Sequence, residues 1–422
     1  MRKLSLLLTL AVFAACSAGE NRPGTPPTEP AAEPTRVRPS SSATSVRPTS
    51  PDPSPSGAEL ARLNAALIDA AWANDLPAAR RLIARGADVN HTDETTQSAY
   101  LIATSEGHRD LLDLTLAAGA RVDAKDRFNG TGLIRAADRG HWDIAGRLVR
   151  AGIDLDHVNN LGWTALHEAV ILGDGSQRYL DTVRVLLAAG VDATVPAVED
   201  GFTAREHAEQ RGYGDIASLL ARADRPVRRP EAALLAAARA GDADTASLAL
   251  RAGAQVDARD GDRRTPLLHA VIGDVGQVAR VLVALGADPD AVDAQSDTPW
   301  LVTGVTGSVP MGRLLLTADP DVTLRNRYGG VSIIPAAERG HAAYVRWAVR
   351  ATDIDVDHVN DLGWTALLEA VLLGEGTTPW QRIVRTLLAA GADPQLADRD
   401  GVTALEHARR RGFEEIARLL AR

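Results

Sequence analysis

From residue 58 onward the apolar residues come in short clusters of helical spacing, and most of these clusters close on a glycine. Gly86, Gly119 and Gly152, then Gly253 and Gly286, follow leucine-rich segments at one constant step, and Asp319 and Thr352 hold the same place at the same step. After most of these positions comes a short acidic turn and then a threonine suited to cap a helix, as in Thr265-Pro266-Leu267-Leu268 and Thr298-Pro299-Trp300-Leu301. Threonine accepts from the free amides of a first turn, proline at the first helical position loses no needed hydrogen bond, and glycine tolerates the left-handed backbone that closes a helix. Each unit is thus predicted to run turn, helix, short loop, helix, glycine. A unit of this size cannot bury its own apolar face, so neighbours must stack into a solenoid.

At these residues the chain resembles the ankyrin-repeat family. The best-matched stretches are Gly162-Trp163-Thr164-Ala165-Leu166-His167-Glu168-Ala169, Leu186-Leu187-Ala188-Ala189-Gly190 and Ala389-Ala390-Gly391-Ala392-Asp393. The resemblance spans roughly residues 60–422 and implies an all-α ankyrin solenoid of helix-turn-helix units with short β-hairpin or turn fingers.

A longer period overlies the short one. Gly162-Trp163-Thr164-Ala165-Leu166 recurs as Gly363-Trp364-Thr365-Ala366-Leu367, and Leu-Leu-Ala-Arg closes both Leu219–Arg222 and Leu419–Arg422. Residues 58–222 are expected to form a first module of about five repeats and residues 231–422 a second of about six, with 223–230 as linker. Two modules hinged near Pro226 and one continuous eleven-unit stack both remain open at this level.

The N-terminal composition is different. Arg2 and Lys3 precede an apolar stretch from Leu4 to Ala15, too short to span a bilayer, and Ala14-Ala15 stand directly before Cys16. Residues 1–15 are expected to be a signal peptide. Cys16, the only cysteine, resembles the lipidated residue of bacterial lipoproteins, although Phe13 departs from that signal's preferred leucine. Ser17 to Gly57 holds ten prolines, eight serines and five threonines, so 16–57 is expected to be a lipid-bearing, disordered tether. The expected location is therefore the cell envelope, with the membrane reached through the lipid alone.

Composition narrows the chemistry. With 46 basic against 55 acidic residues, the net charge of −9 argues against general nucleic-acid binding. A single cysteine excludes a Cys-based zinc site. The histidines fall at repeat positions: His108, His141 and His341 follow glycine between helices, and Glu206-His207 and Glu406-His407 diverge by roughly 100° on a helix. His167-Glu168 lacks the second histidine of a zinc-protease helix, and no Gly-x-Ser-x-Gly elbow is present. No enzyme, cofactor or metal is expected, and the chain is expected to be a monomer.

Binding is the better lead. The resemblance implies a concave face lined by turn tips and the ends of first helices. By position it takes in Arg127, Phe128, Asn160, Leu161, Trp163, Ile171 and Leu172 in the first block, and Arg327, Tyr328, Asp361, Leu362, Trp364, Leu372 and Leu373 in the second. One unit in each block also carries an insertion between its two helices: the interval from Gly173 to Gly190, and likewise from Gly374 to Gly391, is longer than the ordinary interval from Gly107 to Gly119. The inserted loops are expected to present Tyr179 and Trp380 to a partner. These readings describe a non-enzymatic scaffold that captures a protein; a second reading is an accessory protein of an envelope enzyme, for example in oxidative-stress defence.

Overall fold

The computed structural model describes residues 56–421; the expected signal segment, Cys16 and nearly all of the tether lie outside them. The described residues form one compact unit, and their secondary structure is 22 helices with no extended strand. A first array pairs α1 (Gly57–Trp72) with α2 (Leu76–Ala84), α3 (Ala99–Glu106) with α4 (Arg109–Ala117), α5 (Gly132–Asp138) with α6 (Trp142–Arg150), α7 (Ala165–Ile171) with α8 (Gln177–Ala189) and α9 (Ala204–Arg211) with α10 (Gly214–Leu220). A second pairs α11 (Pro230–Ala240) with α12 (Ala243–Arg251), α13 (Pro266–Ile272) with α14 (Gly276–Ala284), α15 (Pro299–Thr306) with α16 (Val309–Leu316), α17 (Ile333–Glu338) with α18 (Ala342–Ala351), α19 (Ala366–Leu372) with α20 (Thr378–Ala389) and α21 (Ala404–Arg410) with α22 (Glu414–Leu420). First helices stack on first helices within each array, and second helices form an outer layer.

Local chemistry builds each unit. The hydroxyls of Thr265, Thr298 and Thr365 accept from the third helical amide at 3.1–3.2 Å. The closing glycines Gly86, Gly119, Gly152, Gly190, Gly253, Gly286 and Gly391 all have φ between 82° and 98°. Of the two replaced copies, Asp319 keeps the left-handed turn (φ 54°). Thr352 abandons it for extended backbone (φ −138°). The fingers are turns rather than strands, and three of them close with an isolated bridge, such as Lys125 with Thr131.

A second regularity sets the spacing between units. The residue just before the outer helix of one unit covers the inter-helix glycine of the unit before it. His141 lies on Gly107 and His341 on Gly307, each ring donating through Nε2 to a carbonyl one unit back, Ser105 or Val305, at 3.1 Å. Tyr213 and Phe413 cover Gly175 and Gly376 in the same way.

The file of helix pairs does not run on through the centre of the chain. The closing pair α9/α10 turns Arg205, Glu209, Gln210 and Arg211 outward, an exposed polar end with nothing apolar to stack on. After α10, residues 221–229 reverse the chain, and α12 packs on α8 rather than α10, while α14 packs on α8 and α6. The continuous eleven-unit stack considered above is therefore not what forms. The two outer layers meet instead, and their cores fuse: Leu248 and Ala284 join the first array's core and Ala188 joins the second's.

Candidate functional site

Because the outer layers face each other, the four layers run first helices, second helices, second helices, first helices. Both finger faces consequently look away from the seam, to opposite sides of the molecule. Every finger except the one between α8 and α9 is organised by one Asp or Asn whose side-chain oxygen accepts two backbone amides. Asp126 Oδ1 takes the N–H groups of Phe128 and Gly130, both at 2.8 Å, and its other oxygen binds Arg135 Nη1 at 2.8 Å. The tip residues Arg127 and Phe128 are left exposed, with the guanidinium 4.9 Å from the ring centre. In the next finger Asn159 Oδ1 holds Leu161 and Trp163 at 2.9 and 3.0 Å, and Asn160 N–H donates to Phe128 O at 3.0 Å, tying the two tips together.

The second array repeats this arrangement. Asn326 Oδ1 holds Tyr328 and Gly330, Arg327 lies 4.9 Å over the Tyr328 ring, and Asp361 N–H donates to Tyr328 O at 2.9 Å. Asn360 holds Leu362 and Trp364, both at 3.0 Å. Among large apolar side chains, Phe128, Leu161 and Leu172 are 46–50% exposed in one array, and Tyr328, Leu362 and Leu373 are 44–53% exposed in the other. Each face thus carries an aromatic and a leucine on two successive fingers and a second leucine at the end of the first helix that follows them. Asn160 and Asp361 are exposed beside them, while Trp163 and Trp364 are half-buried. Trp364 packs on the core of its array.

Tyr179 and Trp380 are elsewhere. The insertion is divided between loop and helix: the connections 172–176 and 373–377 are longer than 139–141 and 339–341, and the outer helix gains residues as well, α8 having 13 and α20 having 12 against nine in α6. Both rings turn inward, 4% and 9% exposed. Tyr179 Oη donates to Asp138 O at 3.0 Å, and Trp380 Nε1 donates to Glu338 O at 3.1 Å. They cover Gly140 and Gly340, the role that a histidine fills in unextended units. The expectation that they face a partner is therefore corrected, since an extra helical turn displaces the histidine position and a larger ring fills the gap. Tyr100 and Trp300, another aromatic pair at matching places in the two blocks, are also buried.

Sequence reasoning missed two things here. Val198 (77% exposed) and Phe202 (40%) extend the first face into the following finger. Val198 also sits over Gly162. The other omission is a buried pair behind each face: Asn159 Nδ2 donates to Glu168 Oε1 at 2.7 Å, and Asn360 Nδ2 to Glu369 Oε1 at 2.9 Å. Burial, with Asp138 or Glu338 nearby, raises both glutamic acids to about 7. The signal was legible, because Asn and Glu recur at the same separation in both blocks.

These carboxyls set a pH dependence. Their folded values lie above the ordinary 4.5, so the folded chain holds protons that the unfolded chain releases, and stability falls as pH rises from about 4.5 to about 7. Glu168→Gln with Glu369→Gln keeps the acceptor for the asparagine amide and removes the titration. The double variant is expected to melt at least about 2 °C above the parent at pH 8 and level with it near pH 4.5, read by calorimetry. Equal melting points at pH 8 would refute the assignment.

Among the described residues no group of three or more His, Cys, Asp or Glu side chains is placed to hold a metal ion, and no helix is long and apolar enough to cross a membrane. What the chain presents is a pair of side-chain-studded faces on a repeat solenoid, the layout of an interaction module. The family model for ankyrin repeats in three copies matches residues 67–159, 99–197, 133–229 and 333–422, and the chain belongs to the ankyrin-repeat family. The ankyrin repeat protein YahD of Escherichia coli K12 is 38% identical over 186 residues, which are 44% of this chain and 92% of that protein. Human ankyrin repeat and SOCS box protein 16 is 31% identical over 201 residues, 47% of this chain and 44% of that protein. A crystallised ankyrin repeat domain from Acinetobacter baumannii AYE is 45% identical, covering 44% of this chain and 95% of its own, with a TM-score of 0.43. Ankyrin repeats make the chain a protein-interaction scaffold, and proteins of this kind are generally non-enzymatic.

Proposed function

We propose that the chain is a non-enzymatic scaffold held at the bacterial envelope by a lipid on Cys16, and that it captures proteins on two finger faces directed to opposite sides. The observation that supports this most is the repetition of one exposed set, Phe128 with Leu161 and Leu172, as Tyr328 with Leu362 and Leu373, each aromatic topped by an arginine. Exposed aromatic and leucine side chains that the stack does not need are the material of binding hot spots. Since the faces diverge, one compact partner does not contact both. Two partner molecules are held instead, and the scaffold bridges them.

A photo-crosslinking residue placed at Phe128 or at Tyr328 in cells is expected to give discrete protein adducts, and Leu161→Ser with Leu172→Ser is expected to abolish only those at Phe128. Adducts that survive unchanged in that double variant would sink the concave-face reading. Anchoring is tested separately: Cys16→Ser is expected to move the protein from the detergent-extracted membrane fraction to the soluble one, and retention in the membrane would overturn the lipid anchor.

A further inference from the structure

The finger faces leave the outer layer of the second array unexplained. At one fixed offset ahead of the closing positions Gly286, Asp319, Thr352 and Gly391 stand Arg280, Arg313, Arg346 and Arg385, and α22 carries Arg418 at the corresponding place. The first array has no such column: its counterparts on α4, α6 and α8 are Asp113, Gly146 and Arg184. Helices α14, α16, α18, α20 and α22 lie side by side, so the five arginines form a ladder along one outer surface.

The first rung is occupied. Arg280 Nη1 reaches across the seam to the carboxylate of Asp181 on α8 at 2.7 Å. The others continue outward and are exposed. Glu415 binds Arg418 at 2.7 Å and lies 3.9 Å from Arg385. Arg313, Arg346 and the adjoining Arg382 have no ion-pair partner among the described residues. Arg346, Arg382 and Arg385 line a groove of about 350 Å³ between α18 and α20.

We propose that this ladder binds an extended acidic segment of a protein, with carboxylates taking the free rungs as Asp181 takes the first. Arginine presents a planar fork matched to a carboxylate, and three neighbouring unpaired guanidinium groups repel one another until an anion joins them. Shape separates the candidate polyanions. Because α6 and α8 cover α12 and α14 on this same surface, the first array stands as a step beside the ladder, two helix layers high. A flat membrane is held off by that step, whereas a narrow polypeptide lies along its foot. Neighbouring outer helices are spaced about 8–10 Å apart, and a chain extended as polyproline II advances about 3.1 Å per residue with three residues per turn, so every third side chain faces the ladder and the matching ligand carries an acid at every third residue.

The test uses the full chain and a fluorescein-labelled peptide of five Glu-Ser-Gly repeats, read by anisotropy at low and at physiological salt. A peptide of the same composition with its glutamates contiguous, a thymidine oligonucleotide and phosphatidylglycerol vesicles are run in parallel. The repeat peptide is expected to bind saturably and more tightly than the other three, and Arg346→Glu with Arg385→Glu is expected to weaken it at least about tenfold. Both side chains are exposed, so the variant's melting temperature should match the parent's, and that measurement excludes misfolding as the cause. No binding by the parent, or equal binding by the variant, overturns the proposal. Tighter binding of the oligonucleotide or the vesicles overturns it in favour of a phosphate ligand. The finger faces play no part in this assay, so its outcome stands apart from theirs.

Discussion

Asp181→Ala is expected to destabilise the folded chain by about 3 kcal/mol, because it removes the shared carboxylate of a buried charge cluster and leaves its arginines behind. Asp181 and Arg184 have side chains 1% and 8% exposed. Asp181 binds Arg184 Nη1 at 2.9 Å and Arg280 Nη1 at 2.7 Å, one from its own helix and one from the opposite array. Arg184 keeps Asp244 at 2.7 Å, which is why the loss falls at the low end of the range for breaking a buried pair. Urea unfolding with a matched slope checks this, and a loss below about 1 kcal/mol would show that the cluster does not hold the seam.

The seam has a steric component as well as a charged one. A side chain at Gly146 on α6 would place its Cβ 2.5 Å from Ala284 O and 2.7 Å from Ala284 Cβ on α14. Both contacts are with a packed helix rather than a flexible tip, so Gly146→Leu must push the layers apart. Arg147 Nη2 donates across the same seam to Thr317 O at 3.1 Å, and Arg251 Nη1 to Val191 O at 2.6 Å. The Leu variant should therefore expose residues 221–229 to protease and enlarge the radius of gyration, while each array keeps its helices.

That seam explains where sequence reading succeeded and where it stopped. The unit was legible because everything that makes it is local: a threonine cap, a proline at the helix start, a glycine at the end, an Asp or Asn turn, all returning at one constant step. The tips Phe128 and Tyr328 were legible for the same reason, since a turn tip projects whatever its neighbours do. The fold-back rests on pairs as distant as Arg280 with Asp181 and Arg147 with Thr317, which no local period encodes. Comparing the two blocks does contain the hint. Where the first has Gly146, Leu180 and Asp181 the second has Arg346, Gln381 and Arg382. The same outer surface is small, apolar and acidic where it is covered, and polar or basic where it faces water. Tyr179 and Trp380 were misplaced for a related reason. An insertion counted in residues looks like a loop alone, and only the helical geometry shows that part of it lengthens the helix and turns the ring inward.

Trp380→Ala is the variant that separates packing from recognition most sharply. The indole is 9% exposed, lies against Gly340 at a would-be Cβ distance of 3.0 Å, and donates Nε1 to Glu338 O. Both glycines beside it, Gly340 and Gly374, leave room for the ring and have no side chain with which to refill it. Truncation thus leaves a cavity that the site cannot collapse, together with an orphaned carbonyl, at a cost of about 3–5 kcal/mol. In a stack whose units contact only their neighbours, that loss is felt locally. Hydrogen exchange should accelerate through α19 to α22, at the end of the second array, and remain at parental rates in α1 to α8. Adduct formation at Phe128 should persist while the far end frays. Loss of the adducts formed at Tyr328, with exchange unchanged throughout, would instead return Trp380 to the binding surface.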